Sequence, residues 1–236
     1  MFSLSGITPE TFLLAFIGGF LPAIIWLLFW LREDHNPEPS KRIRITFIFG
    51  MFAVIVAIPL ELYTVSLFKT TGNYIYIFLA IIEEAVKYGA AYFAALKSRD
   101  NDEPIDNLIY MITAALGFSA LENTLFLLTP IGNGEILKSI VAGNMRFMGA
   151  TLLHIISSST IGIFLAFSFC KKLWVKRIYL FVGFITAVTL HSIFNLSIIE
   201  SDTLTTFVVF SAVWFSVVIL LVLFEKIKSI KLNKIN

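Results

Sequence analysis

The stretch from Tyr74 to Leu96 reads YIYIFLAIIEEAVKYGAAYFAAL. Its length and apolar content predict a membrane-spanning helix, which needs about 20 predominantly apolar residues. Yet its centre carries Glu83 and Glu84 side by side, with Lys87 one turn further on. An acidic residue at mid-membrane costs roughly 2.5 to 3.5 kcal/mol on insertion scales, so a carboxylate pair there marks a functional site by default. At ~100° per residue, Glu83 and Lys87 lie about 40° apart and Glu84 lies about 60° from Lys87 on its other side. One lysine therefore reaches either carboxylate. Two neighbouring carboxylates in low dielectric resist being ionised together, and such a pair can supply one acid and one base. The plainer reading is a buried ion pair that pins two helices.

Working outward, the whole chain is built from comparable runs. Of its 236 residues 58% are hydrophobic and only 14% charged, which excludes an ordinary soluble protein. Mean hydropathy is +0.86. Apolar stretches run from Phe12 to Leu31, Ile45 to Phe68, Tyr74 to Leu96, Ile105 to Leu128, Ile140 to Phe169, Ile178 to Ile199 and Leu204 to Phe224. The expected fold is an all-α, polytopic bundle of about seven transmembrane helices in the cell membrane, with 1–236 as one domain. The connections are short, so any activity is built from the helices themselves.

Arg32, Lys41, Arg42, Arg44, Lys97, Arg99, Lys171, Lys172, Lys176, Arg177, Lys226, Lys228, Lys231 and Lys234 all fall on one side of that bundle, and only Lys69 and Lys138 on the other. The positive-inside rule then predicts an outside N-terminus and a cytoplasmic C-terminus. These cations form a girdle at the lipid bilayer, not a surface for nucleic acid. The first segment has no preceding positive charge and no small-residue cleavage site, so it reads as a retained helix. Cys170 is the sole cysteine, which excludes an intrachain disulfide. Pro37 and Pro39 make the first connection a rigid, extended one.

Polar residues recur on the next three segments. The fourth carries Glu122 and Asn123 after Gly117, the fifth Arg146 and His154, and the sixth His191 and Asn195 four apart on one face. Eight residues separate Arg146 from His154, about 80° in projection. A lone intramembrane histidine is more often a hydrogen-bonded structural group, but four consecutive helices bearing such groups point elsewhere. At ~1.5 Å per residue Glu83, Glu84 and His154 fall within about 3 Å of mid-membrane. His191, Glu122, Asn195 and Arg146 fall about 5, 8, 10 and 13 Å outward by the same rise, all in one direction. They are placed to line one cavity open to the extracytoplasmic face.

This inventory contains the parts for hydrolysis: a carboxylate to activate water, imidazoles to hold an oxyanion or a metal, and an amide to bind a carbonyl. No serine lies in a G-x-S-x-G pattern and no H-E-x-x-H occurs. His154, His191 and Glu84 would make a His2Glu set for a catalytic zinc, with an open position for water. Glutamate-activated and metal-activated water stay equally open at this point. Glu61, two residues after Pro59, falls in the outer half but is as well placed to reach headgroups, and is left outside the catalytic set.

The order E-E-x-x-K at 83–87, G-F-x-x-x-E-N at 117–123, Arg146 to His154 and His191 to Asn195 resembles the PrsW family of intramembrane proteases, related to the CAAX-prenyl protease and bacteriocin-immunity superfamily. Pro37-Glu38-Pro39 and Asp106 also look like that family's pattern. The resemblance implies an integral membrane endopeptidase cutting a single-pass membrane protein, such as an anti-sigma factor, on the extracytoplasmic side. It implies a catalytic core of Glu83, Glu84, His154 and His191, with Lys87, Glu122, Asn123, Arg146 and Asn195 in support. Some family patterns have aspartate where this chain has Asn195, and an amide offers hydrogen bonds but no anionic ligand. The alternatives are a proton- or ion-coupled carrier, which would need repeats or broken helices that are not evident here, and a non-catalytic scaffold, which has no use for so many costly buried groups.

Overall fold

The computed structural model describes residues 8–34, 36–68, 72–199 and 202–230. They form seven helical units with no strand among the described residues: α1 Pro9–Arg32, α2 Ser40–Phe68, α3 Ile75–Ala91, α4 Pro104–Gly132, α5 Ile136–Phe167, α6 Leu173–Ile199 and α7 Thr203–Lys228. Six of these are long and apolar enough to cross a membrane. The exception is α3, which continues as a π turn at Tyr92–Leu96 and whose centre carries the charged trio Glu83, Glu84 and Lys87. The protein is a multi-pass integral membrane protein.

Local chemistry explains where the helices begin. Thr8 caps α1, its hydroxyl accepting from the Thr11 amide at 3.1 Å. A capping box of Glu103 and Asp106 starts α4, with Pro104 in the first turn, where a missing N–H costs nothing. Asp202 caps α7 through the Thr205 amide at 2.8 Å. Gly134, at φ 72°, turns the chain from α4 into α5, a backbone state that side chains disfavour.

Helix α4 is the axis of the bundle. Every residue from Pro104 to Ala120 is buried, and α4 packs on α1, α2 and the inner part of α5. Lipid is as apolar as leucine, so close backbone approach through small residues replaces the hydrophobic effect as the main source of helix association. A Cβ on Gly117 would run into the Phe47 carbonyl, and one on Gly50 into the Ala114 carbonyl. Helices α2 and α4 thus meet backbone to backbone at two glycines. Their outward faces, like those of α1, α6 and α7, present large apolar side chains such as Phe52, Phe181 and Phe215 to the bilayer.

The lysine- and arginine-rich end is closed by polar ties. Arg42 pairs with Asp100 at 2.6 Å and donates to the Ala94 carbonyl at 2.8 Å. Tyr110 donates to Glu38 and contacts the Asp100 carbonyl at 3.2 Å. Asp106 accepts from the Asp102 and Glu103 amides at 2.8 and 2.6 Å. The Pro37-Glu38-Pro39 connection and Asp106 are therefore parts of a structural clasp at the end remote from the acidic pair.

The fifth segment departs from ideal periodicity. It starts at Ile136 instead of Ile140, and Arg146–Ala150 form a π turn inside it. Such a turn takes in one extra residue. An unbroken α-helix would leave Arg146 and His154 about 80° apart, and the extra residue reduces this to about 20°. Both side chains consequently face the same glutamate on α4.

Candidate functional site

Glu84 lies at the bottom of the site and is fully buried. Its Oε1 accepts from Lys87 Nζ at 2.9 Å, His191 Nδ1 at 2.9 Å and Ser157 Oγ at 3.0 Å, and its Oε2 from Ser158 Oγ at 2.7 Å. With four donors its lone pairs are committed, so Glu84 is a fixed anion that orients other groups. Lys87, equally buried, reaches Glu83 at 3.2 Å as well and lies 4.5 Å from the centre of the Phe118 ring. One lysine bridges both carboxylates, as the helical spacing predicts.

The hydrogen-bond partners assign the histidine tautomers. His154 Nδ1 is 2.7 Å from Lys87 Nζ and must accept, so its Nε2–H donates to Glu122 Oε2 at 3.0 Å. His191 donates Nδ1–H to Glu84, which leaves Nε2 as a bare lone pair. That Nε2 lies 3.7 Å from Glu83 Oε2, and His154 Nδ1 lies 3.8 Å from the same oxygen. Three acceptor atoms therefore converge, and one donor from each of Glu83, His154 and His191 lies within 4.8 Å of the others. The two imidazole rings meet edge to face at 5.3 Å.

This donor set fits a divalent metal. Each histidine gives one nitrogen to the common point and the other to a carboxylate, the usual support for a ligating imidazole. With neutral imidazoles, Glu83, Glu84 and Glu122 outnumber Lys87 and Arg146 by one charge, so a further cation improves the local balance. Lys87 Nζ, now on His154 Nδ1, would turn fully to Glu84. The sequence offers Glu84 as a candidate acidic ligand; Glu83 is the carboxylate grouped with the two histidines and lining the cavity, while Glu84 accepts from four donors.

Arg146, at the start of the π turn, forms an ion pair with Glu122 at 2.5 Å, donates to Asn123 Oδ1 and stacks 4.5 Å over the Phe126 ring. Asn123 is buried and donates in turn to Thr151 at 3.0 Å and Ser119 at 3.1 Å. A cavity of about 500 Å³ opens above the set. Glu83, Glu122, Arg146, His154, His191 and Asn195 line it, with Met145, Phe194, Thr206 and Phe210 as apolar and hydroxyl walls. Glu84, Lys87 and Asn123 stand behind this lining, and Glu61, half-buried on α2, does not line it. The mouth lies at the end of the bundle opposite the lysine- and arginine-rich clasp.

Sequence reasoning passed over Ser157 and Ser158, which hold Glu84, and Ser119 and Thr151, which hold Asn123. The signal was present: Ser157 and Ser158 follow His154 at i+3 and i+4 on one helical face.

A helical membrane bundle with carboxylates and imidazoles gathered at an open cavity holds the groups that an intramembrane hydrolase needs. Residues 38–223 match the family described as PrsW family intramembrane metalloprotease, and the chain belongs to that family. It is 29% identical over 202 residues to Protease PrsW of Geobacillus kaustophilus (strain HTA426), covering 83% of this chain and 79% of the relative. It is 27% identical over 187 residues to Protease PrsW of Clostridioides difficile (strain 630), covering 75% and 77%. Protease PrsW of Bacillus subtilis (strain 168) is 29% identical over 122 residues, 49% of this chain and 53% of the relative. No solved structure matches the chain.

Proposed function

We propose that this intramembrane protease cuts a single-pass membrane protein, for example an anti-sigma factor, on the extracytoplasmic side, through the set Glu83, Glu84, His154 and His191. The observation that carries the reading is the convergence of three acceptor atoms, from Glu83, His154 and His191, at the floor of a cavity reached from one membrane face, with Lys87 bonded to two of them and His191 Nε2 bare. The positive-inside distribution supports assigning that face to the outside. Such a cavity admits water, the second substrate of hydrolysis, without opening the bundle.

The residues divide the work. Glu84 holds His191 in the tautomer that points Nε2 at the common point, and Glu122 does the same for His154 through Nε2–H. Arg146 and Asn195 line the cavity with N–H donors, and these suit the carbonyl oxygen of the scissile bond as it gains negative charge. Glu83, His154 and His191 would hold a divalent ion such as zinc. When bound there, such an ion supplies Lewis acidity and lowers the proton affinity of water. The water proton goes to a carboxylate that lines the cavity: Glu122 when Glu83 serves as a ligand, Glu83 itself otherwise. Water oxygen bonds to the carbonyl carbon, the C–N bond breaks, and the captured proton leaves on the new amine.

The ligand reading is favoured over the glutamate-only one because each imidazole gives its N–H to a carboxylate and turns an acceptor nitrogen toward Glu83, an arrangement that stabilises cations and cannot donate to an oxyanion. The test is cleavage of a single-span anti-sigma factor by reconstituted protein, with metal analysis of the same preparation. Alanine at Glu83, Glu84, His154 or His191 should each abolish cleavage. Chelation should stop it and zinc should restore it. Full activity in all four variants would remove the proposal, and chelator-resistant cleavage by a metal-free preparation would transfer the proton-accepting role to Glu83.

A further inference from the structure

A second opening adjoins the cavity. Between α5 and α7 runs a groove of about 690 Å³ lined by Met145 on one side and by Asp202, Thr206, Phe207, Phe210 and Ser211 on the other. Met145, Thr206 and Phe210 line both the groove and the cavity above the acidic set. The two spaces are neighbours separated by three side chains. The Phe210 ring is seated on the π turn of α5: a Cβ on Gly149 would approach it to 2.6 Å. On the far side of the same half-helix a different groove, about 480 Å³, lies between α1, α4 and α5, and shares no lining residue with the cavity.

We infer that the α5–α7 groove is the lateral entry by which one transmembrane segment of the substrate passes from the bilayer to the acidic–imidazole set, with Phe210 as the partition it displaces. This rests on the proposed protease reading and names its path. Three observations converge on the occupant. The groove faces lipid between two spanning helices, so what enters it is already membrane-embedded. A helix about 10 to 12 Å wide with 1.5 Å rise takes up roughly 120 to 170 Å³ per residue, so 690 Å³ suits about four to six residues, one end of a helix and not its whole length. Where that end unwinds for cleavage its amides and carbonyls must find partners, and this groove presents Thr203, Asp202, which also caps Thr205, and Ser211, which also donates to the Phe207 carbonyl, with Asn195 beyond. The movable wall is present too. Ile136–Met145 contain no buried residue and end in the π turn, where an extra turn residue lets the outer half swing without breaking the inner half.

The test places the photo-crosslinker p-benzoylphenylalanine at Phe207 in this groove and, separately, at Leu14 in the groove beside α1, both in the Glu83→Gln background. The probe is a single-span anti-sigma factor in proteoliposomes, with its cleavage by the wild-type protein measured alongside. Cleavage by wild type with adducts from Phe207, and at most a tenth as much from Leu14, is the expected result. Cleavage with adducts confined to Leu14, or with lipid adducts only at Phe207, overturns the path and leaves the protease reading standing. No cleavage by wild type removes both. Ser211→Trp, which narrows the groove without touching the acidic set, should raise KM about tenfold with kcat nearly unchanged; an unchanged KM in a variant with normal thermal unfolding counts against the entry route.

Discussion

Helix α4 and the outer half of α5 are written in the same apolar alphabet and live in opposite surroundings. From Pro104 to Ala120 no residue of α4 escapes burial, whereas none of Ile136–Met145 is buried. The difference is one of partners. In α4, Gly117, Ala114 and Ala120 let α1 and α2 come to backbone contact. In outer α5, Ile136, Leu137, Ile140 and Val141 point to lipid. The site lies on the seam between them: Glu122 and Asn123 belong to the buried helix, and Arg146 to the π turn that ends the exposed one. A hydrolase acting on membrane-embedded chains needs both, a fixed constellation for chemistry and a wall that yields to substrate.

The comparison can be broken most severely at its buried charges. Glu84→Ala leaves Lys87 with Glu83 as its one carboxylate partner and takes the acceptor from His191 and two buried serines, so it should cost about 3 kcal/mol of stability. Unfolding of the purified variant in micelles measures it, and an unchanged melt would show that Glu84 is not the anchor described. Next in size is the rigid side itself. Gly117→Ala forces a methyl toward the Phe47 carbonyl and should cost about 1 to 3 kcal/mol, because backbone and not a flexible side chain must give.

At the seam, Arg146→Lys keeps the charge but loses the fork that binds Glu122 and Asn123 together, so kcat/KM should fall about tenfold with little loss of stability. Equal turnover by the lysine variant would mean that charge alone suffices. Least affected should be the loose side: Ile140→Ala should change stability by no more than about 0.5 kcal/mol. Amide exchange should also be faster across 136–145 than across 104–120, and equal protection of the two would erase the contrast.

Much of this was legible in the chain. The seven apolar runs are visible because a bilayer demands them, and Glu83, Glu84, Lys87, Glu122, Arg146, His154, His191 and Asn195 stand out because charged and imidazole groups are expensive there. The helical angles between Glu83, Glu84 and Lys87 sufficed to place one lysine between two carboxylates. Three features were not legible. Ideal periodicity hides the π turn that aligns Arg146 with His154. Adjacent glutamates look alike until partners are known, so the division into a buried anchor, Glu84, and a cavity-facing acceptor, Glu83, needed coordinates. Lipid-facing and core-facing apolar residues are chemically the same, so nothing in Ile136–Met145 announced that it packs so little.

Glu83 is the cavity-facing carboxylate on which hydrolysis depends in either reading, as a ligand or as the proton acceptor. The most direct measurement is mass spectrometry of products formed from a single-span anti-sigma factor in proteoliposomes by wild-type protein and by Glu83→Gln, both shown to be equally folded. The account predicts one cut on the extracytoplasmic side of the substrate's membrane segment with the wild-type chain, and a loss of at least about a thousandfold in rate with the glutamine variant. The same products formed at a similar rate by Glu83→Gln would contradict it.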